Sequence, residues 1–256
     1  KERSRTKWEI IPHDALDPEI PQPAVTRRKG VRQPLVAPAS LRSKRWVASR
    51  EEILQAAAQV FIEKGFGSTS IDEIADRLNA TKGRIYHYYR SKVDLFLDLQ
   101  IWALEHLLAK LLLITNDPLL APPARLYQMA YHHTIMIGTG YGFEGAALLG
   151  RESSLLDIRT TDQHRARRRV IDLRDQYEDL FALVLEDGIQ LKLFAGARPR
   201  LMTKPLLSAL NGLLEWYSPA KGSQAMSIEQ IADYHATFVT NAVLARPGND
   251  QFPPEP

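Results

Sequence analysis

The chain contains no cysteine, and this absence removes several classes of site at once. Its 256 residues offer no thiol for a disulfide, a thiolate zinc finger or a cysteine nucleophile. Long hydrophobic runs are also missing, because no apolar stretch approaches the roughly 18 residues that cross a bilayer. No charged-then-apolar signal peptide opens the chain. We therefore expect a soluble, cytoplasmic protein with no membrane partner.

Residue sets that build an active site are scarce as well. His, Asp and Glu do not recur at tight metal-ligand spacing, no phosphate-binding glycine loop is present, and no nucleophile has an evident base. The sequence therefore predicts no metal, no cofactor and no enzymatic activity. A small-molecule enzyme that merely carries a three-helix unit is the disfavoured alternative, and turnover of an acyl thioester would support it.

Acidic residues are unevenly distributed. Residues 1–50 contain 12 Lys and Arg against 5 Asp and Glu, a balance of +7, and none of these acids lies between Ile20 and Arg50. Residues 51–98 carry 6 basic and 8 acidic residues, a balance of −2. Residues 1–45 also contain six prolines and no sustained apolar period, so they are expected to form a disordered basic arm. Two interpretations of this arm are open: it contacts nucleic-acid phosphates, or it is merely a solvated tail.

Alternating strand patterns are missing between the arm and a tail at residues 246–256, and apolar residues recur there at helical spacing. The sequence therefore predicts an all-α fold. Four helix starts are marked by a serine three residues before an acid or amide, which is the pattern of a capping box. These pairs are Ser49 with Glu52, Ser70 with Glu73, Ser91 with Asp94, and Ser227 with Gln230.

The helical patterns divide the chain into a small unit at residues 46–92 and a larger domain at residues 93–245. In the small unit a first helix ends at Gly65, and a second helix is followed by the turn Asn79-Ala80 and a third helix capped by Thr81. This is a helix-turn-helix, which presents one helix end to the DNA major groove. In the larger domain helices are predicted at residues 93–114, 123–138, 142–156, 162–194, 203–217 and 227–245.

The third helix carries most of the predicted DNA contacts. Ile85 and Tyr89 are four residues apart and face inward, so the opposite side faces outward. Arg pairs with guanine, Lys with guanine or phosphate, and Tyr with a thymine methyl or a phosphate. An aromatic core seam at residues 86–89 is the alternative, but four consecutive side chains cannot all face inward on one helix. The predicted DNA contacts are Arg42, Lys44, Arg45, Thr69, Ser70, Thr81, Lys82, Gly83, Arg84, Tyr86, Tyr88 and Lys92.

The block Gly83-Arg-Ile-Tyr-His-Tyr-Tyr-Arg-Ser-Lys-Val-Asp-Leu95 resembles the tetracycline-repressor (TetR) family of bacterial regulators. Asn79 replaces that family's usual turn glycine and Tyr89 its usual phenylalanine, and both changes are physically mild. The resemblance implies that Tyr86 lies near base edges and that Tyr88 and Lys92 contact phosphates. It also implies a homodimer that reads a near-palindromic operator through two successive major grooves.

The last two helical patterns carry apolar seams at spacings of three and four residues, which are typical of helix–helix packing. The resemblance implies that these helices pair with their symmetry mates in a four-helix dimer interface, whereas the core of a monomer would show the same pattern. The predicted interface residues are Leu206, Leu210, Leu213, Ile228, Ile231, His235, Phe238 and Ala242.

Large side chains lie among small ones in the remaining helices, and this mixture suggests a ligand pocket, with plain core packing as the alternative. Residues 174–219 resemble the ligand domain of TetR regulators that respond to acyl-CoA thioesters. That resemblance implies a buried acyl group and phosphates held by arginines; helical ion pairs of Arg168 with Asp172 and Arg174 with Glu178 are the alternative. The predicted effector contacts are Trp102, Tyr127, Tyr131, His132, Phe143, Arg168, Arg174, Tyr177, Phe181 and Trp216.

These patterns together predict a ligand-responsive transcriptional repressor. It would be a homodimer that a small hydrophobic or acyl-CoA effector releases from a palindromic operator. The alternative is an architectural DNA-binding protein of low specificity and no effector. Competition between random and palindromic DNA distinguishes the two.

Overall fold

The computed structural model describes residues 41–138, 156–217 and 226–245. Within these ranges the only extended pairing is an isolated bridge between Phe194 and Leu244, so the predicted all-α fold is confirmed. No helix in these ranges is long and apolar enough to span a membrane. The helices are α1 (Leu41–Ser68), α2 (Ile71–Arg77), α3 (Lys82–Tyr86), α4 (Lys92–Thr115), α5 (Pro122–Gly138), α6 (Thr161–Gln190), α7 (Pro199–Asn211), α8 (Leu213–Trp216) and α9 (Ile228–Val243).

Helix α1 begins eight residues earlier than the predicted cap at Ser49. Its first residue is Leu41, so residues 41–45, which we expected to belong to a disordered arm, are helical. Ser49 therefore lies inside the helix, and the prediction that it caps α1 is wrong. Proline is absent between Pro38 and Gly65, and this stretch contains nothing that stops a helix from extending backwards. At the other end Gly65 takes a positive φ of 77°, which an L side chain rarely adopts, and α1 kinks there.

The other predicted helix starts agree with the structure. Ser70, Ser91 and Ser227 are the N-caps of α2, α4 and α9, and each side chain accepts a hydrogen bond from a backbone N–H three residues on. Thr160 caps α6 in the same way through a box with Gln163, which we did not predict. Asn79 forms the α2–α3 turn with a φ of 49°, as expected.

Helix α4 belongs to both parts of the molecule. Its Phe96 ring packs edge-on against Phe61 of α1, with ring centroids 5.2 Å apart. Asp98, two residues later, accepts hydrogen bonds from Arg50 of α1 at 2.6 and 2.8 Å. The C-terminal part of α4 packs against α6 and buries Leu104 and Leu111. The helix-turn-helix unit therefore shares one continuous core with the larger domain.

Helix α5 lies at the centre of the larger domain and is buried almost throughout its length. Helix α9 packs along it, and Gly138 at the end of α5 allows this approach, because a Cβ there would lie only 2.0 Å from Ile228. Helices α6 and α7 cover another side of α5, so α4, α5, α6 and α7 surround a common space.

Candidate functional site

Helix α3 presents one side outward, as its spacing predicted. Ile85 and Tyr89 are buried against the core, whereas Tyr86 is 52% exposed. Thr81, Lys82 and Gly83 are also exposed. A Cβ added at Gly83 would meet only the Thr81 hydroxyl, at an ordinary 3.6 Å, so packing within the chain does not require glycine at this position.

Both cations of α3 contact other parts of the small unit. Lys82 lies 3.5 Å from the Asp72 carboxylate of α2. Arg84 points back to α1, where its Nη2 donates to the Ser49 hydroxyl at 2.8 Å and also pairs with the Glu52 carboxylate. Its Nε donates to the same hydroxyl at 3.3 Å. The predicted guanine-reading side chain is thus folded against α1.

Tyr88 and Tyr89 fix the position of α3 on α1 and α4. The half-buried Tyr88 ring lies 5.2 Å from the Trp46 ring of the early α1 turns. Tyr89 is buried and donates its hydroxyl proton to Asp98 at 2.7 Å, and burial raises the pKa of this phenol. Arg50 pairs with the same carboxylate, so α1, α4 and the end of α3 meet at Asp98.

Two predicted DNA contacts serve the fold. Thr69 is only 3% exposed and its hydroxyl donates to the Gly65 carbonyl at 2.8 Å, so this side chain serves the fold and a contact of Thr69 with DNA stays a prediction. The Lys92 ammonium donates to the carbonyls of Phe66 and Thr69 at 2.6 Å each, and to that of Gly67 at 3.2 Å. Lys92 therefore neutralises the C-terminal end of α1, and its phosphate contact stays a prediction.

Among the remaining predicted DNA contacts, the structure describes the side chain of Ser70 but not those of the other three. Ser70 is exposed and caps α2. The backbone of Arg42, Lys44 and Arg45 lies in the first turns of α1, on the same helix as Trp46, whose ring packs at a tilt against that of Tyr88. Their side chains lie outside what the structure describes, so their contact with DNA stays a prediction.

A cavity of about 230 Å³ lies between α4, α5, α6 and α7. Two predicted effector residues, Arg174 and Tyr177, are brought together in it. His133 was expected to add a polar group to a pocket together with its neighbour His132. The other lining residues were not predicted, although a polar Asn within the leucine-rich α7 pattern was an available signal. The lining residues are Leu104, His133, Arg174, Tyr177, Glu178, Lys204, Leu207, Ser208 and Asn211.

A buried hydrogen-bonded row forms one wall of this cavity. The His133 Nδ1 lies 2.6 Å from the Tyr177 hydroxyl, and its Nε2 lies 3.2 Å from the Asn211 Oδ1. Because the amide oxygen only accepts, Nε2 carries the proton and Nδ1 accepts from the phenol. Burial lowers the pKa of His133 to about 4, so the imidazole is neutral at pH 7.

Two cations, Arg174 and Lys204, also line the cavity. Burial lowers the pKa of the Arg174 guanidinium, because desolvation disfavours its charged form. Lys204 lines the same space and pairs with Glu178 at the protein surface. An anionic group placed beside Arg174 would restore part of the solvation that burial removes.

The other predicted effector residues do not line this cavity. Phe181 and His132 are fully buried, Tyr131 is buried, and Trp102 is half-buried beside His106. Tyr127 is buried and donates to Asp233 of α9 at 2.5 Å, and this bond and burial raise its pKa. Arg168 and Trp216 are exposed and do not line this cavity, so their effector contacts stay predictions, and Phe143 lies outside the described residues.

The predicted dimer interface is also partly corrected. Leu206, Leu210, Leu213 and Ile231 are buried within the subunit, and burial contradicts a contact with a partner. Ile228 packs on α5, and the half-buried His235 lies 3.3 Å from the Thr134 hydroxyl. Phe238, 59% exposed, and Ala242 do face outward. A three-and-four spacing marks a buried helix face but does not say which helix covers it. Here α5 covers α9, and α6 and α5 together cover α7.

An apolar surface lies on the outer sides of the last helices. Its members are large hydrophobic side chains that remain exposed and were not all predicted. We call them the outer patch: Leu201, Trp216, Tyr234 and Phe238, which are 62%, 56%, 70% and 59% exposed.

Comparison with known proteins finds a matching family model for each of two parts of the chain. A family model described as bacterial regulatory proteins of the tetR family matches residues 53–99. A second, described as the tetracyclin repressor-like C-terminal domain, matches residues 155–243. The two matches together span more than half of the chain.

One curated relative is the HTH-type transcriptional repressor BepR of Brucella suis biovar 1, 44% identical over 48 residues. That stretch is 19% of this chain and 23% of BepR, so the match spans less than a quarter of this relative's length.

Two solved structures share the fold over most of their length. The regulator PfmR from Thermus thermophilus has a TM-score of 0.61 and 25% identity, covering 74% of this chain and 97% of PfmR. AibR, solved with isovaleryl coenzyme A and operator DNA, has a TM-score of 0.63 and 20% identity, with the same coverage of 74% and 97%. With its helix-turn-helix, its larger helical domain and a match to each, the chain belongs to the TetR family of bacterial regulatory proteins.

Proposed function

We propose that this chain is a homodimeric transcriptional repressor that binds a palindromic DNA operator and is released by a small effector. The outward side of α3 carries this proposal. Tyr86 is exposed there beside Lys82 and Gly83, where it can meet a base edge while the backbone comes close to the duplex. The neighbouring Tyr88, half-buried, is suited to a phosphate.

The outer patch supports the dimer. Its four large hydrophobic side chains are exposed on α7, α8 and α9, and large apolar side chains that stay exposed to solvent often mark protein–protein contacts. A second copy of the same helices would cover them through an isologous contact. Two copies would also double the DNA contact, because one recognition helix reads only half of a palindromic site.

Helix α4 supplies the link between effector and DNA. Leu104 lines the cavity, and Asp98 of the same helix holds Arg50 and Tyr89 of the small unit. The two positions are six residues apart, about 9 Å along the axis. An effector that displaces α4 would therefore move the small unit, and a coupling of ~1–3 kcal/mol would weaken operator binding about 5- to 150-fold.

The cavity suits the acyl end of a short acyl-CoA thioester. Its volume of about 230 Å³ is smaller than the roughly 300–1,000 Å³ of sites that enclose drug-sized ligands, so a whole coenzyme cannot be buried there. Leu104 and Leu207 would contact the acyl chain, and Arg174 and Lys204 would meet an anionic group. The AibR structure contains a ligand of this class, isovaleryl coenzyme A.

In vitro selection of duplexes with the purified chain tests the repressor proposal. We expect enrichment of a palindrome and a preference for it over random DNA of about 10³-fold or more. Equal affinity for both would support a low-specificity architectural protein instead.

The dimer is tested with Phe238→Glu, which places a charge in the outer patch. This variant should be monomeric by light scattering and should lose palindrome binding while keeping its helical content. Leu119→Glu is the matched control, because Leu119 is a 90% exposed apolar residue outside the patch. A dimeric Phe238→Glu variant would contradict the proposed interface.

The effector is tested by adding short acyl-CoA thioesters, the free acids or coenzyme A alone to the DNA complex. Release by the thioesters alone is expected, and Arg174→Gln should raise the thioester concentration needed by about tenfold, the equivalent of ~1.4 kcal/mol. The control is Arg167→Gln, an exposed arginine of the same helix that does not line the cavity. Equal responses of the two variants would contradict the cavity as the effector site.

A further inference from the structure

The Arg84 side chain has no guanidinium fork left for a base while it stays on α1. A bidentate contact with guanine uses two adjacent N–H groups, either Nε with Nη2 or Nη1 with Nη2. Nη2 belongs to both forks. In the structure it donates both to the Ser49 hydroxyl at 2.8 Å and to the Glu52 carboxylate. Both of its hydrogens are therefore engaged by α1.

The partners of Arg84 are built into one face of α1. Ser49 and Glu52 are three residues apart and so project from the same side of the helix. Nε also donates to Ser49, at 3.3 Å, so that the hydroxyl and the carboxylate together hold one fork of the guanidinium. Glu52 is exposed and Arg84 is half-buried, which leaves the pair open to competition from an incoming duplex.

We infer that Ser49 and Glu52 form a holding site for Arg84, which Arg84 leaves when it reads the O6 and N7 atoms of a guanine. Glu52 is thus an affinity-determining residue that competes with DNA for the guanidinium. The inference rests on the proposed function, because it assumes that α3 enters the major groove. It adds to that proposal a residue of α1 that weakens operator binding.

Electrostatics outside the pair act in the same direction. When Arg84 leaves, the Glu52 carboxylate loses its partner while phosphates approach, and like charges repel. Lys82, the other cation of α3, also lies near a carboxylate, that of Asp72 at 3.5 Å. Residues 51–98 have a balance of −2, so this stretch of the chain has no net positive charge that offsets the repulsion between Glu52 and the phosphates.

Glu52→Gln tests the inference in the full-length chain with the duplex selected by the wild type. Removing the charge should raise affinity for that duplex, up to about fivefold, the range of an exposed ion pair. Glu63→Gln is the matched control, because Glu63 is also on α1 and exposed but pairs with Arg77 of α2. It should change affinity by less than about twofold, since salt screens distant charges.

A double-mutant cycle with Arg84→Ala isolates the pair. Glu52→Gln should bring no further gain in the Arg84→Ala background. Replacing guanines of the selected duplex by 7-deazaguanine removes N7, and it should weaken the wild type but not Arg84→Ala. A wild type that binds no duplex would refute the proposed function and the inference with it. Binding by the wild type together with an unchanged or lower affinity of Glu52→Gln, or with the same gain in both backgrounds, would overturn the inference alone.

Discussion

At the residue scale, a substitution of Gly83 should affect the stability of the protein and its affinity for DNA in different ways. Glycine in a helix is about 0.5–1 kcal/mol less favourable than alanine, and a Cβ at this position meets only an ordinary contact of 3.6 Å. Gly83→Ala should therefore keep or raise the midpoint of thermal unfolding. Its affinity for the selected duplex should fall by about tenfold, ~1.4 kcal/mol, because the methyl group lies between the backbone and the duplex.

Gly67→Ala provides the control for this prediction. Gly67 is exposed in the last residues of α1, beyond the kink at Gly65, and a Cβ there would meet open space among the described residues. Its affinity for the duplex should stay within about twofold of the wild type, ~0.4 kcal/mol. If Gly83→Ala bound DNA as tightly as Gly67→Ala, the glycine would have no role in close approach.

The neutral His133 makes stability depend on pH in a defined window. Burial lowers its pKa to about 4, below the 6.5 of the unfolded side chain, so between these values the unfolded chain binds more protons. Its contribution is fully present above pH 6.5 and is lost as the pH falls towards 4. Urea unfolding should show a loss of at most about 1.4 kcal/mol per pH unit from this group.

His133→Gln should reduce the fall in unfolding free energy between pH 7.5 and 5. A smaller fall will remain, because burial lowers the pKa of His235 as well. His164→Gln, on the exposed side of α6, should behave like the wild type. Equal pH dependence of His133→Gln and the wild type would show that the imidazole does not titrate in this window.

At the scale of the helix, Ser227 and Ser49 were both predicted to be N-caps, but only Ser227 is one in the structure. Ser227 caps α9: its hydroxyl accepts from the Gln230 N–H at 3.3 Å and its N–H donates to the Gln230 side chain at 2.8 Å. Ser227→Ala should lower the free energy of unfolding by ~1 kcal/mol. Ser49 lies within α1 and its hydroxyl accepts from Arg84, so in the Arg84→Ala background, where those hydrogen bonds are absent, Ser49→Ala should cost less than ~0.5 kcal/mol. Urea unfolding measures both, and an equal cost would indicate that α1 begins at Ser49 in solution.

Helix orientation could be predicted from sequence where neighbouring residues decide it. Ile85 and Tyr89 are one helical turn apart, and their burial leaves Tyr86 outward whatever surrounds the helix. The Arg84–Glu52 pair was not predictable, because it joins residues 32 positions apart through the angle between α1 and α3. The same limit applies to Leu210, whose apolar spacing gives a buried face without identifying the helix that covers it.

The residue type alone does not tell which of two adjacent histidines lines the cavity. The adjacent histidines His132 and His133 look alike in sequence, yet only His133 reaches the polar row with Tyr177 and Asn211. Neighbours on a helix are separated by about 100°, and the packing of α6 and α7 decides which of them lines the cavity. Arg174 and Tyr177, which both line the cavity, were predicted from the resemblance of their segment to acyl-CoA-responsive regulators and not from the packing of the helices.

At the scale of the whole molecule, net charge is distributed unequally between segments of the chain. Residues 51–98 have a balance of −2 and the α3 cations among them are already paired, so this stretch contributes little unspecific attraction for DNA. The preceding residues 1–50 have a balance of +7. In this arrangement the basic segment would supply affinity that does not depend on sequence, and α3 would supply the discrimination between sequences.

Deleting residues 1–40 tests this division and leaves α1, which begins at Leu41, intact. The deleted segment includes the cations Arg27, Arg28, Lys29 and Arg32 in a stretch without acidic residues. Affinity should fall for random and selected duplexes by similar factors, and the slope of log affinity against log salt should decrease by ~0.9 for each phosphate that the arm no longer neutralises. The selected sequence should not change, because the arm does not read bases. Deletion of residues 246–256 is the control and should alter neither quantity. Unchanged affinity and slope after removal of residues 1–40 would exclude the arm from DNA binding, and a changed sequence preference would mean that it reads bases after all.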